Sequence, residues 1–383
     1  MNDRPTLGHR YWNGFSFGPR VTIGPRSSLL VVGPTQAGKT SSIVVPALLR
    51  WSDALVVTSV KNDVIATTRR HRSSLGETEV MEPGRDDGLT WNPLEGVTTL
   101  RHATRVARDL TIGSGDRGDT EFWNALATKF VAGLMMVAIQ RGQSIFDVAH
   151  AVERRDVSRW LGDRDASAAG EVVSNFLGHD AKTLEGVLTT AETMLLPWRF
   201  VQPLAQARRA VEGANTLYLC SPRGEQRHYE ALFRGALRMV LEEQQRRVDE
   251  GSSRRLLMVL DEAATVASLD ELDQLAATVS GLNVTLVTVV QDFAQLVARW
   301  GPRASTIVNN HTTRVVLGGL ADPTVGKYLP ELVATKPDVP DVSLRRRPRG
   351  TAMVVAGNKA VFHVRLSPWW TDRRLRDLGD HPG

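Results

Sequence analysis

The chain has 383 residues, 42% of them apolar and 23% charged, and a net charge of +5. This length allows roughly two domains with ample cores, and the arginine-led excess permits a polyanionic partner without requiring one. One cysteine, Cys220, excludes an intramolecular disulfide and favours an intracellular setting. The nine histidines are scattered, so no His/Cys cluster has metal-ligand spacing.

Residues 1–27 are polar, with Pro, Gly and Arg throughout, and show no signal peptide. Within them, residues 10–27 alternate aromatics with turn residues and read as a short hairpin. A buried strand over 28–32 then breaks into Gly33-Pro34-Thr35-Gln36-Ala37-Gly38-Lys39-Thr40, which fits G-x-x-x-x-G-K-[ST] at every fixed position. Glycines let successive backbone N–H groups turn inward around a phosphate. The following helix, from about Lys39 to Arg50, adds donors and positive partial charge at its start. Lys39 would reach the β- and γ-phosphates and the Thr40 hydroxyl would bind Mg²⁺, with Ser41 completing the loop.

Ala54–Thr58 is a second strand, Ser59-Val60-Lys61-Asn62-Asp63 a turn, and Glu79–Met81 a short third strand. Trp91-Asn92-Pro93-Leu94 closes the segment, since Pro93 disfavours helix at Asn92. From about Arg101 the texture changes. Segments 101–111, 120–141, 144–162, 168–178 and 180–196 carry helical periodicity, and Pro197 ends the block. A Gly/Asp-rich tract at 113–119 separates the first two helices. The longest apolar helical stretch, Phe130–Ile139, is about half of a bilayer span, so a transmembrane segment is not expected.

After Gly213, strands fit 215–220, 255–260, 284–290, 313–317, 351–356 and 360–365, and helices fit 226–248, 270–280, 292–300, 303–309 and 321–328. This alternation predicts a mostly parallel sheet flanked by helices. The expected division is an α/β domain over 1–104 and 209–383, interrupted by an all-α insertion over 105–208. Cys220 reads as a buried structural thiol. Leu344–Arg349 reads as a basic solvated loop, with nucleic-acid contact as the alternative.

A phosphate loop needs a carboxylate partner for its metal. Leu256–Leu260 ends in Asp261-Glu262, with Asp261 placed to hold Mg²⁺ and Glu262 to polarise the attacking water. Leu286–Val290 ends in Gln291-Asp292. Gln291 reads as a sensor beside the γ-phosphate, and Asp292 as a helix cap in the alternative reading. Arg314, Arg299 and Arg303 are candidates for an arginine that completes the site across a subunit boundary.

The ordered set resembles the coupling-protein ATPases of type IV secretion and conjugation, the TraG/TraD family. The resemblance rests on GPTQAGKT with the following Ile43–Leu49, on the strand and turn at 51–63, on WNPL at 91–94 and on Phe122-Trp123. It continues with LDEA at 260–263, Gln291 with Ala294–Leu296, Asn309-Asn310 and Ala321-Asp322. It implies a RecA-like P-loop NTPase with an inserted all-α domain that helps recognise substrate. It also implies a homo-hexameric ring when active, monomeric in isolation, at the inner, cytoplasmic face of the cell membrane. Mg²⁺-dependent, DNA-stimulated ATP hydrolysis would drive DNA, with a relaxase or other relaxosome protein, toward a secretion channel. Protein export and an ATP-dependent docking platform are the competing readings. Three departures stand out. Relatives often carry an N-terminal membrane anchor, so either one has been trimmed away or the protein docks on a separate membrane subunit. The turn at 59–63 reads SVKND where relatives often have Asp-Pro-Lys-Gly-Glu. Ser280-Gly281 stands where relatives often place an arginine before the glycine.

Overall fold

The computed structural model describes residues 4–380 apart from 13–14, 61, 84, 86–87, 112–118, 163–166, 222–223, 267–268, 321–323, 329–347 and 358–359. Lys61, nearly all of the tract at 113–119, the Ala321-Asp322 pair and most of the basic loop at 344–349 therefore lie outside the described residues. The chain divides into two compact units. Residues 1–80, 209–226 and 240–383 form the first, and residues 81–208 and 227–239 the second.

The helices, numbered along the chain, begin with α1 (Val45–Arg50), α2 (Asn62–Ser73), α3 (Leu100–Asp109), α4 (Asp119–Gln140), α5 (Ile145–Glu153) and α6 (Val157–Leu161). They continue with α7 (Ala168–Leu177), α8 (Ala181–Leu195), α9 (Gln226–Asp249), α10 (Leu272–Thr278), α11 (Phe293–Trp300) and α12 (Ala304–Asn310). Strands β1 (Thr6–Trp12), β2 (Phe15–Thr22), β3 (Ser28–Val32), β4 (Ala54–Ser59) and β5 (Thr78–Met81) come first, followed by the two-residue strands β6 (Thr90–Trp91) and β7 (Leu204–Ala205). The rest are β8 (Thr216–Cys220), β9 (Leu256–Leu260), β10 (Val284–Val290), β11 (Thr313–Leu317), β12 (Thr351–Ala356) and β13 (Phe362–Arg365).

Among the described residues the large sheet runs β2-β1-β13-β12-β11-β3-β10-β9-β4-β8-β5. The six strands from β11 to β8 are parallel. Beyond β11, the strands β12, β13, β1 and β2 pair antiparallel. Every residue of β3, β4, β8, β9 and β10 is buried. That is why these segments read as unbroken apolar runs rather than alternating ones: a parallel sheet is covered on both faces. On one face, Leu29 and Val31, Leu55 and Val57, Leu257 and Val259, and Val287 and Val289 pack with Ile43, Ala47 and Leu48 into one core. The hairpin starts earlier than its aromatic pattern predicts, at Thr6, which pairs with Thr22 of β2, and β1 also pairs with β13 at His9 and Arg10.

The second unit is helical, as its periodicity predicts, and its helix starts are chemically marked. Thr99, Ser144, Ser167 and Asp180 each accept a backbone N–H in the first turn of α3, α5, α7 and α8, and Ser144 with Asp147 forms a full capping box. The stretch expected as one helix over 144–162 is two, because Arg155 turns to φ +56° between α5 and α6. Helix α4 extends well beyond Phe130–Ile139 and is long and apolar enough to cross a bilayer. Yet 61% of its most apolar 18-residue stretch is buried, and the helix packs against α3, α5, α7 and α8, which is the pattern of a core helix.

The unit begins before the 105 expected from texture, and Trp91 is the reason. Its ring is fully buried, tilted against Trp198 at 6.4 Å between centroids, while Trp198 Nε1 donates to Trp91 O at 2.7 Å. Asn92 N donates to Ala205 O at 3.2 Å, extending the β6–β7 pairing. A Cβ at Gly235 on α9 would come within 2.3 Å of the Trp91 ring, so a larger residue is excluded there. Residues 227–239 of α9 join the unit by the same logic: Arg234 donates to Asp109 O and Thr111 O, and Arg238 pairs with Asp109 at 2.9 Å.

In the first unit Arg72, at the end of α2, is fully buried without a carboxylate salt bridge among its described contacts. It donates to Trp51 O, to Asp53 O at 2.8 Å, to Ala214 O at 3.0 Å and to Thr216 Oγ1 at 2.8 Å. Burial pushes its pKa down to about 10, still charged at neutral pH. These bonds tie together the entries to β4 and β8. Arg72→Leu should therefore lower stability by about 3 kcal/mol or more, through carbonyls left buried without donors. Arg70→Ala, which removes an exposed pair with Asp380, should cost under about 1 kcal/mol. Equal, small changes in urea midpoint for the two variants would contradict this assignment.

Candidate functional site

The parallel register decides what meets what. Val32 pairs with Val290 and Leu260 with Thr288, so the residues following β3, β10 and β9 emerge at one sheet edge. Those residues are Gly33, Gln291 and Asp261. A cleft of about 430 Å³ opens there.

The loop after β3 has the geometry its sequence predicts. A Cβ on Gly33 would meet Leu317 Cβ at 2.8 Å, so only glycine lets the loop leave the strand this close to β11. Gln36 and Gly38 both take positive φ, +61° and +89°. The first turn after the loop is wide, with the Val45 N–H reaching back to Thr40 O, a π-type turn of the kind often found at functional sites. Lys39 is buried and donates to Gly33 O at 2.5 Å and Pro34 O at 2.9 Å. Its ammonium is thus held over the mouth of the loop. Thr35, Gln36, Gly38, Lys39, Thr40 and Ser41 line the cleft. Pro34 and Ala37 shape the turn, with Ala37 N donating to Pro34 O at 3.3 Å.

Across the cleft, Thr40 Oγ1 donates to Asp261 Oδ2 at 3.3 Å. Burial, and secondarily the neighbouring Glu262, push the Asp261 pKa up to about 6, against the opposing pull of Lys39 and the Thr40 hydrogen bond. A hydroxyl beside a buried carboxylate is the donor set expected for a hydrated Mg²⁺ shared with phosphate oxygens. A divalent ion there would relieve the cost of the buried charge. Among the described residues no group of three or more His, Cys, Asp or Glu side chains forms an all-protein metal cage. Glu262 sits at φ +55°, a conformation costing about 1–2 kcal/mol for a residue with a Cβ. Ala263 N donating to Val289 O at 3.0 Å, and Thr58 Oγ1 donating to Asp261 O at 3.0 Å, hold this turn in place.

Gln291 lines the cleft too. Its N–H donates to Gln295 Oε1 at 3.0 Å, while Asp292 caps α11 by accepting from Gln295 N at 2.8 Å. The capping role thus falls to Asp292 and leaves Gln291 at the cleft wall.

The three candidate arginines do not line the cleft of their own chain. Arg303 pairs with Asp273 through two nitrogens, and Arg299 lies 3.5 Å from Asp270. Arg314 is buried in β11, opposite Leu30 of β3 and Val355 of β12. A guanidinium packed inside the sheet presents little surface to a neighbouring subunit.

The cleft also takes residues to which the sequence assigns no site role: Asp63 and Thr67 on α2, Val45, and the Trp369-Trp370 doublet after β13. Asp63 sits in the SVKND turn, so its neighbourhood was flagged. An aromatic doublet so far from the loop carries no local signal.

Two family models match the chain in order. One, described as type IV secretory system conjugative DNA transfer, covers residues 3–161. The other, described as the TraM recognition site of TraD and TraG, covers residues 255–351. Protein VirD4 of Rhizobium rhizogenes is 23% identical over 344 residues, covering 83% of this chain and 50% of the relative. Conjugal transfer protein TraG of Escherichia coli is 23% identical over 311 residues, covering 71% and 49%. The chain thus spans about half the length of the curated relatives it matches. The plasmid coupling protein TrwB in complex with ADP and Mg²⁺ superposes with a TM-score of 0.71 at 19% identity, covering 95% of this chain and 94% of that one. Its complex with the GTP analogue GDPNP gives 0.70 at 18%, covering 95% of each. This likeness establishes a RecA-like P-loop NTPase fold. Both family models in sequence order, with that fold beneath them, support a type IV coupling protein of the TraG/TraD kind.

Proposed function

We propose that this chain is a Mg²⁺-dependent, DNA-stimulated ATPase that drives DNA or nucleoprotein toward a secretion channel. The observation that carries the reading is the convergence of Lys39, Thr40, Asp261, Glu262 and Gln291 on one cleft. In this reading the backbone from Gly33 to Ser41 cradles the phosphates of ATP, and Lys39 offsets charge on the β- and γ-phosphates. Thr40 and Asp261 hold Mg²⁺, which supplies Lewis-acid polarisation of the phosphoryl group. Glu262 accepts a proton from the attacking water, and Gln291 orients that water. The match to a TraM recognition segment over 255–351 supports a relaxosome protein as partner, and the helical unit is the proposed substrate-recognition element. The family places such proteins at membranes, which supports docking at the inner face on a membrane-anchor or channel subunit.

Among the described residues the cleft lining holds no arginine, and this supports a head-to-tail homo-hexamer in which a neighbour supplies one. Side-chain exposure ranks the candidates: Arg303 at 42%, then Arg299 at 20%, then the buried Arg314.

Lys39→Ala should weaken ATP binding and abolish turnover. Glu262→Gln should bind ATP as the parent does and lose at least about 100-fold in rate. Mixing Glu262→Gln with Arg303→Ala should restore some activity, because an intact arginine then meets an intact site across one boundary. Parental turnover by Glu262→Gln would remove it as the base, and the absence of recovery in any arginine mixture would contradict a shared site.

The raised Asp261 pKa makes a separate prediction. Its folded value of about 6 lies above the unfolded 3.8, so ionised Asp261 destabilises the metal-free fold, fully so above pH 6. Asp261→Asn should melt higher than wild type at pH 8 without Mg²⁺, with the gain shrinking as pH falls from 6 toward 4. A difference independent of pH would show that burial of this charge is not what separates them.

A further inference from the structure

The cleft has two chemically different walls. One is polar: the loop N–H groups, Lys39, Thr40, Asp261, Glu262 and Gln291. The other carries Trp369 and Trp370 beside Val45. The two indoles do different things. Trp369 is 4% exposed and packs with Val45, Leu49 and Leu375. A Cβ on Gly379 would come within 2.6 Å of its ring, so the C-terminal turn closes over it. Trp370 meets it edge-on, at 5.9 Å between centroids and 83° between planes, and remains 43% exposed.

The segment bearing this doublet is fastened to the helix that follows the phosphate loop. Asp372 accepts from Arg50, the last residue of α1, at 2.5 Å and also from Arg20. Burial works to raise the Asp372 pKa, but the two guanidinium groups prevail and hold it below the usual carboxylate range. Asp380 N donates to Thr67 O at 3.0 Å on α2, the helix that also lends Asp63 and Thr67 to the cleft. Trp370 is therefore an exposed aromatic plane lining the same cleft as the loop, on a backbone held by β13 before it and by Asp372 and Asp380 after it.

An amphipathic ligand with a polyanion at one end and a flat ring at the other matches this pairing of walls. We propose that Trp370 is the stacking platform for the nucleotide base, with Trp369 as its buttress. This rests on the nucleotide-site reading above and adds which end of the ligand each wall takes. Stacking on an indole is tolerant of base identity, because every base has a π-face, so ATP and GTP should depend on Trp370 alike.

The test uses the full chain with Mg²⁺ and calorimetric binding of three probes: ATP, GTP and inorganic tripolyphosphate. Trp370→Ala should weaken ATP and GTP by about 5- to 100-fold, leave tripolyphosphate affinity unchanged, and be largely rescued by Trp370→Phe. A second readout avoids reliance on affinity: the triphosphate of 2-aminopurine riboside should be quenched on binding wild type and Trp370→Phe, but not Trp370→Leu. Unchanged ATP affinity in Trp370→Ala, or equal loss for ATP and tripolyphosphate, overturns the platform while leaving the phosphate site standing. Wild type binding neither ATP nor tripolyphosphate overturns the nucleotide reading and this proposal with it.

Discussion

The pairing of β3 with β10 and of β10 with β9 is the constraint on which the cleft depends. Both faces of these strands are buried, so an ionised side chain has no low-cost place along them except their ends. The register then sets the neighbours: Gly33 beside Gln291, and Asp261 one step beyond Leu260, itself level with Thr288. A shift of one strand by a single residue would turn its apolar residues to the opposite face and carry its terminal residue away from the others. Burial thus fixes the chemistry indirectly, by making only one alignment affordable.

What that alignment creates is a local electrostatic conflict. Asp261 and Glu262 are adjacent acids, one of them buried, opposed in the same cleft by Lys39. The strained backbone at Glu262 adds to the tension. A bound divalent ion with a polyphosphate would resolve it, since the metal would compensate the carboxylate and the phosphates the lysine. Such a fold gains stability from its ligands, and the gain is largest where the apo charges are least comfortable.

Much of this was legible in the chain itself. The phosphate loop, the apolar strand ending in Asp261-Glu262 and the helical periodicity from about Arg101 are local patterns, fixed by backbone geometry over a few residues. Long-range pairings were not legible. Nothing around Trp91 announces that Trp198 and Gly235 will enclose it, so the helical unit begins earlier than texture suggested. Arg155 between α5 and α6 reads as one more helical residue, although its positive φ splits the segment. The Trp369-Trp370 doublet carries no local signal, and only the folding of the C-terminal segment onto α1 carries it to the cleft. Arg314 looked available by sequence position, and burial withdraws it into the sheet.

As proposed, this cleft belongs to a motor whose turnover is coupled to DNA. The most direct measurement is the ATPase rate with and without single- and double-stranded DNA, across a salt series. The account predicts a rate that rises on adding DNA, with half-saturation moving steeply to higher DNA concentration as salt increases, as phosphate contacts require. A rate indifferent to either form of DNA at every salt concentration would contradict it.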